Sequence, residues 1–338
     1  MGINLSDVVG ARPVAIEELR GRWVAIDAYN AIYQFLSVIR QPDGTPLKDS
    51  RGRVTSHLTG LLTRNANLIE QGVRPCYVFD GISSHLKAAT LAERSERRTK
   101  AEEEWKQAAE AGDVERAYSK AQQSSRITNE IVSSSRILLT YLGIPVIQAP
   151  GEGEAQAAYM CLKGDVWAAS SQDYDSLLFG APRLVKNLSL SGRRKMPGRN
   201  EYRDISIEMI ELDVMLDQLQ ITRAQLIDAA VLIGTDFNKG IRGVGPKKAI
   251  KLVKEHGDLE VALRTLGKDT SEFLASRTLF IDYEKTDEYD LRMKAPDTEK
   301  VVEMLCREHD FGEQRVMTAL EKMRTEQSKS RQVRLDMF

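Results

Sequence analysis

The sequence predicts an α/β fold, with a mostly parallel central sheet flanked by helices. Two observations carry that prediction. Four short apolar runs have the composition of buried strands: Trp23-Val24-Ala25-Ile26, Cys76-Tyr77-Val78-Phe79, Ile144-Pro145-Val146-Ile147 and Val166-Trp167-Ala168-Ala169. Helical patterns separate them, and strand–helix–strand alternation calls for parallel strands joined by crossovers. A third observation is an interruption. From Leu86 to Arg126 acids and bases dominate and large apolar residues are almost absent. That composition forms helix without a core-facing stripe, and the segment, about 82–130, is expected to stand off the body.

Each element follows in order. After the first strand, Ile32, Phe35, Leu36 and Ile39 recur at helical spacing. Leu58, Leu61, Leu62 and Ile69 do so before the second strand. Ile131, Leu138 and Leu142 lead into the third. Ala155, Ala158, Tyr159 and Leu162 lead into the fourth, with Gly164 placed to cap that helix. Beyond residue 205 the chain reads as all helix, with apolar clusters around Leu226–Ile233, Ala249–Val253 and Val301–Leu305. Residues 1–325 therefore read as a single domain and 326–338 as a flexible polar tail.

The composition of the 338 residues, 42% hydrophobic and 29% charged, is that of a folded, soluble chain. No apolar run approaches the ~20 residues that span a bilayer, and a signal peptide's basic-then-apolar order is absent. The opening Met1-Gly2-Ile3-Asn4-Leu5-Ser6 matches a myristoylation pattern, but no second anchor follows it. Cys76, Cys161 and Cys306 are too few and too scattered for a disulfide framework or a CxxC zinc site, which suits a reducing cytosol. Lys+Arg number 48 against 49 Asp+Glu, yet the charge is uneven. Residues 183–203 hold Arg183, Lys186, Arg193, Arg194, Lys195, Arg199 and Arg203 against Glu201 alone. Residues 239–254 hold Lys239, Arg242, Lys247, Lys248, Lys251 and Lys254 and no acid. Such windows are either solvated surface or places where a polyanion is held.

Chemistry enters where strands and acids meet. The first strand runs into Asp27 and the second into Asp80. Glu152 and Glu154 follow the third, Asp173 and Asp175 the fourth, and Asp236 follows the apolar run Val231–Ile233. The ligand crevice of an open parallel sheet lies at the carboxyl ends of its strands, so these acids should converge. Two carboxylates ~4 Å apart repel by roughly 4 kcal/mol at an effective dielectric near ~20. Six or seven can ionise together only with cations among them. Oxygen-only ligands select hard ions, Mg²⁺ or Mn²⁺, and two such ions ~4 Å apart are the arrangement that hydrolyses phosphodiesters. Singly, the motifs have blander readings. Asp27 could be a helix N-cap, and Gly151-Glu152-Gly153-Glu154 could be a broken dinucleotide fingerprint, although Gln156 replaces its last glycine and two acids would repel a pyrophosphate.

A second constellation is Gly240-Ile241-Arg242-Gly243-Val244-Gly245-Pro246-Lys247-Lys248. Glycines let backbone N–H groups approach a phosphate, and the next helix adds its positive N-terminus. This is a helix–hairpin–helix type of DNA-backbone clamp, spanning about 225–256, or else an ordinary Gly-Pro turn.

Several blocks together resemble the flap endonucleases of the structure-specific 5′-nuclease superfamily, archaeal type. They are Ile26-Asp27-Ala28, Ile32–Leu36, Thr55–Leu58, Tyr77–Gly81, Arg94–Arg98, Ala149–Ala157, Ser171–Asp175 and Gly234–Asn238, and they cover almost the whole chain. The resemblance implies removal of 5′ flaps from branched DNA in replication and repair, with 5′–3′ exonuclease action on nicked or gapped duplex. It implies two Mg²⁺ (or Mn²⁺) held by Asp27, Asp80, Glu152, Glu154, Asp173, Asp175 and Asp236. Residues 82–130 become a helical arch, whose Lys87 and Arg94 reach the scissile phosphate. Tyr33 matches an aromatic near the flipped nucleotide, Gly2 lies near the active site, and Thr55 and Ser56 fall where a 3′ flap is held. Gly243, Gly245, Lys247 and Lys248 are the residues of the clamp reading above, and some relatives hold K⁺ at the turn near Gly240–Gly245. Gln332, Leu335 and Phe338 resemble a box for the sliding clamp (PCNA), short of its second aromatic. A monomeric enzyme in the cytoplasm of an archaeal cell is expected. Rival readings are a bubble or junction nuclease, an inactive clamp-tethered DNA-binding protein and an Asp-x-Asp phosphatase, the last leaving both basic windows unexplained.

Overall fold

Seven strands form the central sheet. The computed structural model describes residues 5, 7–82, 84–189, 192–195 and 202–335, with 192–195, 202–204 and 326–335 described by backbone alone. Along the chain come β1 (Arg12–Val14), β2 (Trp23–Asp27), α1 (Ala28–Val38), α2 (Ser56–Glu70) and β3 (Arg74–Phe79). The insertion follows as α3 (Ala88–Glu110) and α4 (Val114–Gln123), and α5 (Asn129–Tyr141) returns the chain to the body. The alternation then resumes with β4 (Val146–Gln148), α6 (Gly153–Lys163), β5 (Ala168–Ser170), α7 (Asp175–Leu178) and β6 (Arg183–Lys186). A hairpin, β7 (Gly192–Lys195) and β8 (Tyr202–Ile205), precedes β9 (Ile207–Glu211). The remainder is α8 (Leu212–Leu219), α9 (Arg223–Ile233), α10 (Pro246–His256), α11 (Leu259–Thr265), α12 (Ser271–Ile281), α13 (Thr298–Val302) and α14 (Glu313–Leu335).

The sheet order is β1-β9-β6-β5-β2-β3-β4. The run β6-β5-β2-β3-β4 is parallel, whereas β9 pairs antiparallel with both β6 and β1. Period-two alternation assigns side chains to opposite faces. Val24, Ile26, Tyr77 and Phe79 pack against α1, α2, α5 and α14, while Ala25, Cys76 and Val78 meet α6 and α9 on the other face. Both faces are thus covered by helices, as a parallel sheet requires. Gly164 ends α6 in the left-handed conformation, φ 80°, as its sequence position suggests.

Three expectations are corrected. The chain beyond 205 is not all helix, because β9 intervenes, with Ile207 and Met209 buried on one face of the sheet, Ile210 on the other, and Glu208 and Glu211 less buried. The third and fourth strands start two residues later than their apolar runs. Nor does the insertion stand wholly free. Ala101 and Ala108 of α3 and Ala117 and Ala121 of α4 are buried, forming a small-residue seam. A Cβ on Gly44 would come within 2.9 Å of the Ala121 methyl, so α4 also docks closely on the α1–α2 loop. Arg40 reinforces that joint, donating to Leu36 O, Gly44 O and Ser125 Oγ.

At the C-terminus the backbone of α14 continues helically to Leu335, past the expected start of the tail at 326. The stretch Glu326–Leu335 has no Gly or Pro to stop it. Among the described residues no helix is long and apolar enough to cross a membrane.

Candidate active site

Every strand of the parallel run that the sequence marks with an acid ends at the same edge of the sheet. Asp27 closes β2 and caps α1, accepting the Asn30 N–H at 3.1 Å. The N-cap reading of this residue is therefore met. Burial first, then the neighbouring Asp80 carboxylate and more weakly Asp173, push its pKa up to about 8. Asp80 leaves β3 and accepts the Gly153 N–H at 2.7 Å, which fixes it to the first residue of α6. A Cβ on Gly153 would lie 2.7 Å from that same oxygen, so only glycine permits the approach. The root of the insertion is pinned beside it, Gly81 N–H donating to Gly151 O at 2.7 Å and Ile82 N–H to Pro150 O at 3.0 Å.

Glu152 and Glu154 flank the N-terminus of α6. Glu154 is held well above the ordinary carboxylate range by burial and by the charges of Asp175, Asp27 and Asp173. Glu152 is raised too, by burial and Asp80, although Lys87 opposes the shift. Each has one buried oxygen, Oε1, with no hydrogen-bond partner. Asp175 opens α7 and is buried, as is Asp236 in the Thr235–Asn238 turn after α9.

Two cations from the insertion enter the cleft. Lys87 forms an ion pair with Glu152 and lies 4.0 Å from Asp236, and Arg94 forms an ion pair with Asp236. Burial works against the Lys87 ammonium, but Glu152 and Asp80 outweigh it and its pKa stands above the usual lysine value. As placed, no three His, Cys, Asp or Glu side chains among the described residues form a group that could hold a metal ion. The carboxylates converge on one cleft, then, without ligating geometry. Ammonium and guanidinium groups neutralise part of their charge.

The donor set nevertheless fits a divalent cation. Orphaned carboxylate oxygens, and pKa values raised by burial and then by mutual repulsion, mark a site whose anionic charge exceeds the cationic charge the chain supplies. Carboxylate oxygens without sulfur or imidazole suit a hard divalent cation.

The other expected residues divide. Tyr33 is half-buried with the Arg98 guanidinium 5.6 Å from its ring centroid. Gly243 has φ 83° in the loop between α9 and α10, Gly245 caps α10, and Lys247 and Lys248 are exposed on its first turn. Thr55 and Ser56 are buried, and the Ser56 hydroxyl accepts from Leu47 N–H at 2.9 Å and donates to Ile39 O at 2.6 Å. These two hydroxyl residues build the α1–α2 loop and present no open surface. Gly2 and Phe338, and the side chains of Gln332 and Leu335, lie outside the described residues. So do the side chains of Arg193, Arg194, Lys195, Arg199 and Arg203 in the first basic window.

Sequence reasoning missed Asn30, whose Oδ1 accepts Gln172 N–H at 3.3 Å and Gln34 Nε2–H at 2.7 Å, joining α1 to the loop that carries Asp173. Its position three residues after an aspartate cap was the available signal. Arg98, one turn beyond Arg94 on the same helix face, was missed as well.

Comparison with known proteins gives a consistent picture. The XPG N-terminal domain family matches residues 2–101 and the XPG I-region family residues 143–236. The chain is similar to Flap endonuclease 1 of Archaeoglobus fulgidus, 50% identical over 324 residues covering 96% of each chain. It is 52% identical to Flap endonuclease 1 of Methanothermobacter thermautotrophicus over 323 residues, 95% of each. Among solved structures, flap endonuclease-1 from Methanococcus jannaschii superposes with TM-score 0.77 at 38% identity, covering 97% of this chain and all of the other. The catalytic core of Rad2 in complex with DNA substrate shares the fold, with TM-score 0.66 at 24% identity over 93% of this chain and 96% of that one.

Proposed function

The chain belongs to the flap endonuclease family, and from that premise we propose how its own residues remove 5′ flaps at single-strand/double-strand junctions. It is a structure-specific 5′ flap endonuclease of DNA replication and repair. One observation carries the residue assignment: six carboxylates after the strands of one sheet, joined by Asp236 from the turn after α9, with Lys87 and Arg94 of the insertion set among them.

In this reading Asp27, Asp80, Glu152, Glu154, Asp173, Asp175 and Asp236 hold two Mg²⁺, for which Mn²⁺ can substitute. Bound there, the ions supply activation of the attacking water and stabilisation of the leaving oxygen. The protein's part is positioning. Gly243, Gly245 and the α10 N-terminus accept duplex phosphates, and Lys247 and Lys248 add charge without reading bases. A K⁺ ion at that turn belongs to the same proposal. The arch, α3 and α4, takes the 5′ strand, and Tyr33 offers a ring to an unstacked base once Arg98 moves from it. Lys87 and Arg94 transfer their ion pairs from Glu152 and Asp236 to the scissile phosphate. They bring cationic donors to the place where negative charge develops. The same site would act as a 5′–3′ exonuclease on nicked or gapped duplex. We further assign the enzyme as a cytoplasmic monomer that meets the sliding clamp through residues 332–338.

The test uses a 5′-end-labelled double-flap DNA with wild type and Asp175→Ala, in Mg²⁺, Mn²⁺ and EDTA. A single cut near the junction, lost in EDTA and in Asp175→Ala, is expected. Tight binding without cleavage by the wild type would replace this reading with a DNA-binding scaffold. Deleting residues 332–338 should weaken clamp affinity and leave flap cleavage intact, and unchanged clamp affinity would remove the tail from the proposal.

A further inference from the structure

Beyond the pairs that enter the cleft, a third ion pair joins the arch to the rest of the molecule. Glu93, beside Arg94 on α3, meets Lys239 with Oε1 and Nζ 2.8 Å apart. Lys239 precedes Gly240 in the loop between α9 and α10, the loop that leads into the duplex-gripping turn. We propose that Glu93 and Lys239 are a positioning pair that sets helix α3 over the carboxylates in register with the duplex-gripping turn, so that seating the duplex and aiming Lys87 and Arg94 are one event.

The two partners differ in how firmly they are held. The Lys239 backbone belongs to a rigid turn. Thr235 N–H donates to Asn238 O at 3.0 Å, the Asn238 amide to Val231 O at 2.8 Å and Ile241 N–H to Leu232 O at 2.9 Å. A Cβ on Gly240 would meet Ile233 O at 2.2 Å, so the turn folds tightly back on the end of α9. The chain ahead of α3 is pinned at Gly81 and Ile82 and by the partly buried Leu86, but no such backbone ties hold the first turns of α3 among the described residues. The buried residues of α3, Ala101 and Ala108, lie far along the helix in the seam with α4. Near the cleft, α3 meets the body through the ion pairs of Arg94, Glu93 and the preceding Lys87, and through the Arg98 guanidinium on the Tyr33 ring.

Charge logic separates Glu93 from its neighbours. Lys87, Arg94, Arg97 and Arg98 suit a polyanion, and an acid among them opposes DNA binding. Glu93 has Arg97 at 3.8 Å on its own helix as a second partner, and Lys239 has the Glu272 charge nearby. The shorter contact is the one between elements. When Lys87 and Arg94 turn to a phosphate, their ties to Glu152 and Asp236 end. The Glu93–Lys239 pair is then the charge contact that still holds α3 to the loop. Exposed pairs contribute only ~0.2–1 kcal/mol to stability, so the consequence lies in placement.

This inference rests on the flap-cleavage reading above, and charge reversal tests it. Glu93→Lys, Lys239→Glu and the double reversal are compared in single-turnover cleavage at saturating enzyme, with DNA affinity measured separately. Affinity should move in opposite directions, Glu93→Lys binding tighter and Lys239→Glu weaker. The cleavage rate should fall in both singles, by about three- to tenfold, and recover in the double. Equal rates in all four proteins, or a double no faster than Lys239→Glu, would overturn the pair and leave Lys239 a plain phosphate contact. Amide hydrogen exchange of residues 88–97 in the DNA-free enzyme gives a readout independent of cleavage. Protection should fall in each single and return in the double. A wild type that cuts no flap, with the exchange pattern present, would count against the functional reading and not against the pair.

Discussion

Lys87 and Arg94 each have one end on the arch and the other on an acid of the cleft, and the Lys87 pKa is raised above the usual lysine value because Glu152 and Asp80 outweigh its burial. Substituting either by Ala should lower the single-turnover rate on the order of 10²–10³-fold while affinity for flapless duplex changes little. Parallel losses in both would contradict a role at the scissile phosphate. Asp49 contributes to acid stability. Asp49 is buried, which works against its carboxylate, but the Arg53 N–H at 2.8 Å, the Arg53 guanidinium at 2.7 Å and His309 Nδ1 at 2.9 Å outweigh burial and hold its pKa at about 2. A folded-state pKa below the unfolded value stabilises the fold above the unfolded value of 3.8, and that contribution disappears as pH falls through about 2. The melting temperature of Asp49→Asn should lie below wild type by a constant margin above about pH 5, with the gap closing toward pH 2. A gap independent of pH would show that the carboxylate's charge is not what matters. His57 works in a separate window: burial lowers its pKa to about 3, so it withdraws stability as pH falls below 6.5.

At the level of elements, the contact between β3 and α6 offers the sharpest test. Gly153→Ala should push the Asp80 carboxylate aside and cost on the order of 10²-fold in cleavage, as a displacement of about 1 Å can do. Gly151→Ala, two residues earlier, meets nothing nearer than 3.8 Å and should cut normally. Loss of activity in both would point to the loop as a whole. How well the elements could be read from residues follows from what each one buries. Strands covered on both faces show as apolar runs, and the acids at Asp27, Asp80 and Asp173 marked their ends because a carboxylate after such a run is conspicuous. β9 was invisible because its Ile207-Glu208-Met209-Ile210-Glu211 breaks strict alternation and mixes Glu with Ile and Met, a pattern easily absorbed into the helix that follows. The arch seam was missed because alanines bury two helices without leaving a large-residue stripe. Thr55 and Ser56 were legible as a motif, but nothing in a sequence says whether a hydroxyl faces a ligand or its own loop. The Lys87 and Arg94 pairings depend on how far α3 leans over the cleft, a tertiary fact with no local signature.

Over the whole molecule the chain closes on itself, since α14 packs against α2. Val316, Leu320 and Met323 are buried in the same cluster as Leu58, Leu61 and Leu62. Burying three such side chains contributes roughly 5–9 kcal/mol, comparable with the whole stability of a typical domain, ~5–15 kcal/mol. A chain ending at residue 312 should therefore be insoluble or lack a cooperative melt, whereas one ending at residue 331 should melt like the wild type. A well-folded 1–312 fragment would show that the α2 face is satisfied elsewhere. The closure also sets an order for biosynthesis. The ribosome releases α2, complete at Glu70, long before it reaches Val316, and at ~5–20 residues per second the interval is roughly 12–50 s. Throughout that interval the nascent chain carries a sticky helix face without its final cover, a period in which chaperone shielding matters most and a stalled polypeptide is at greatest risk of aggregation.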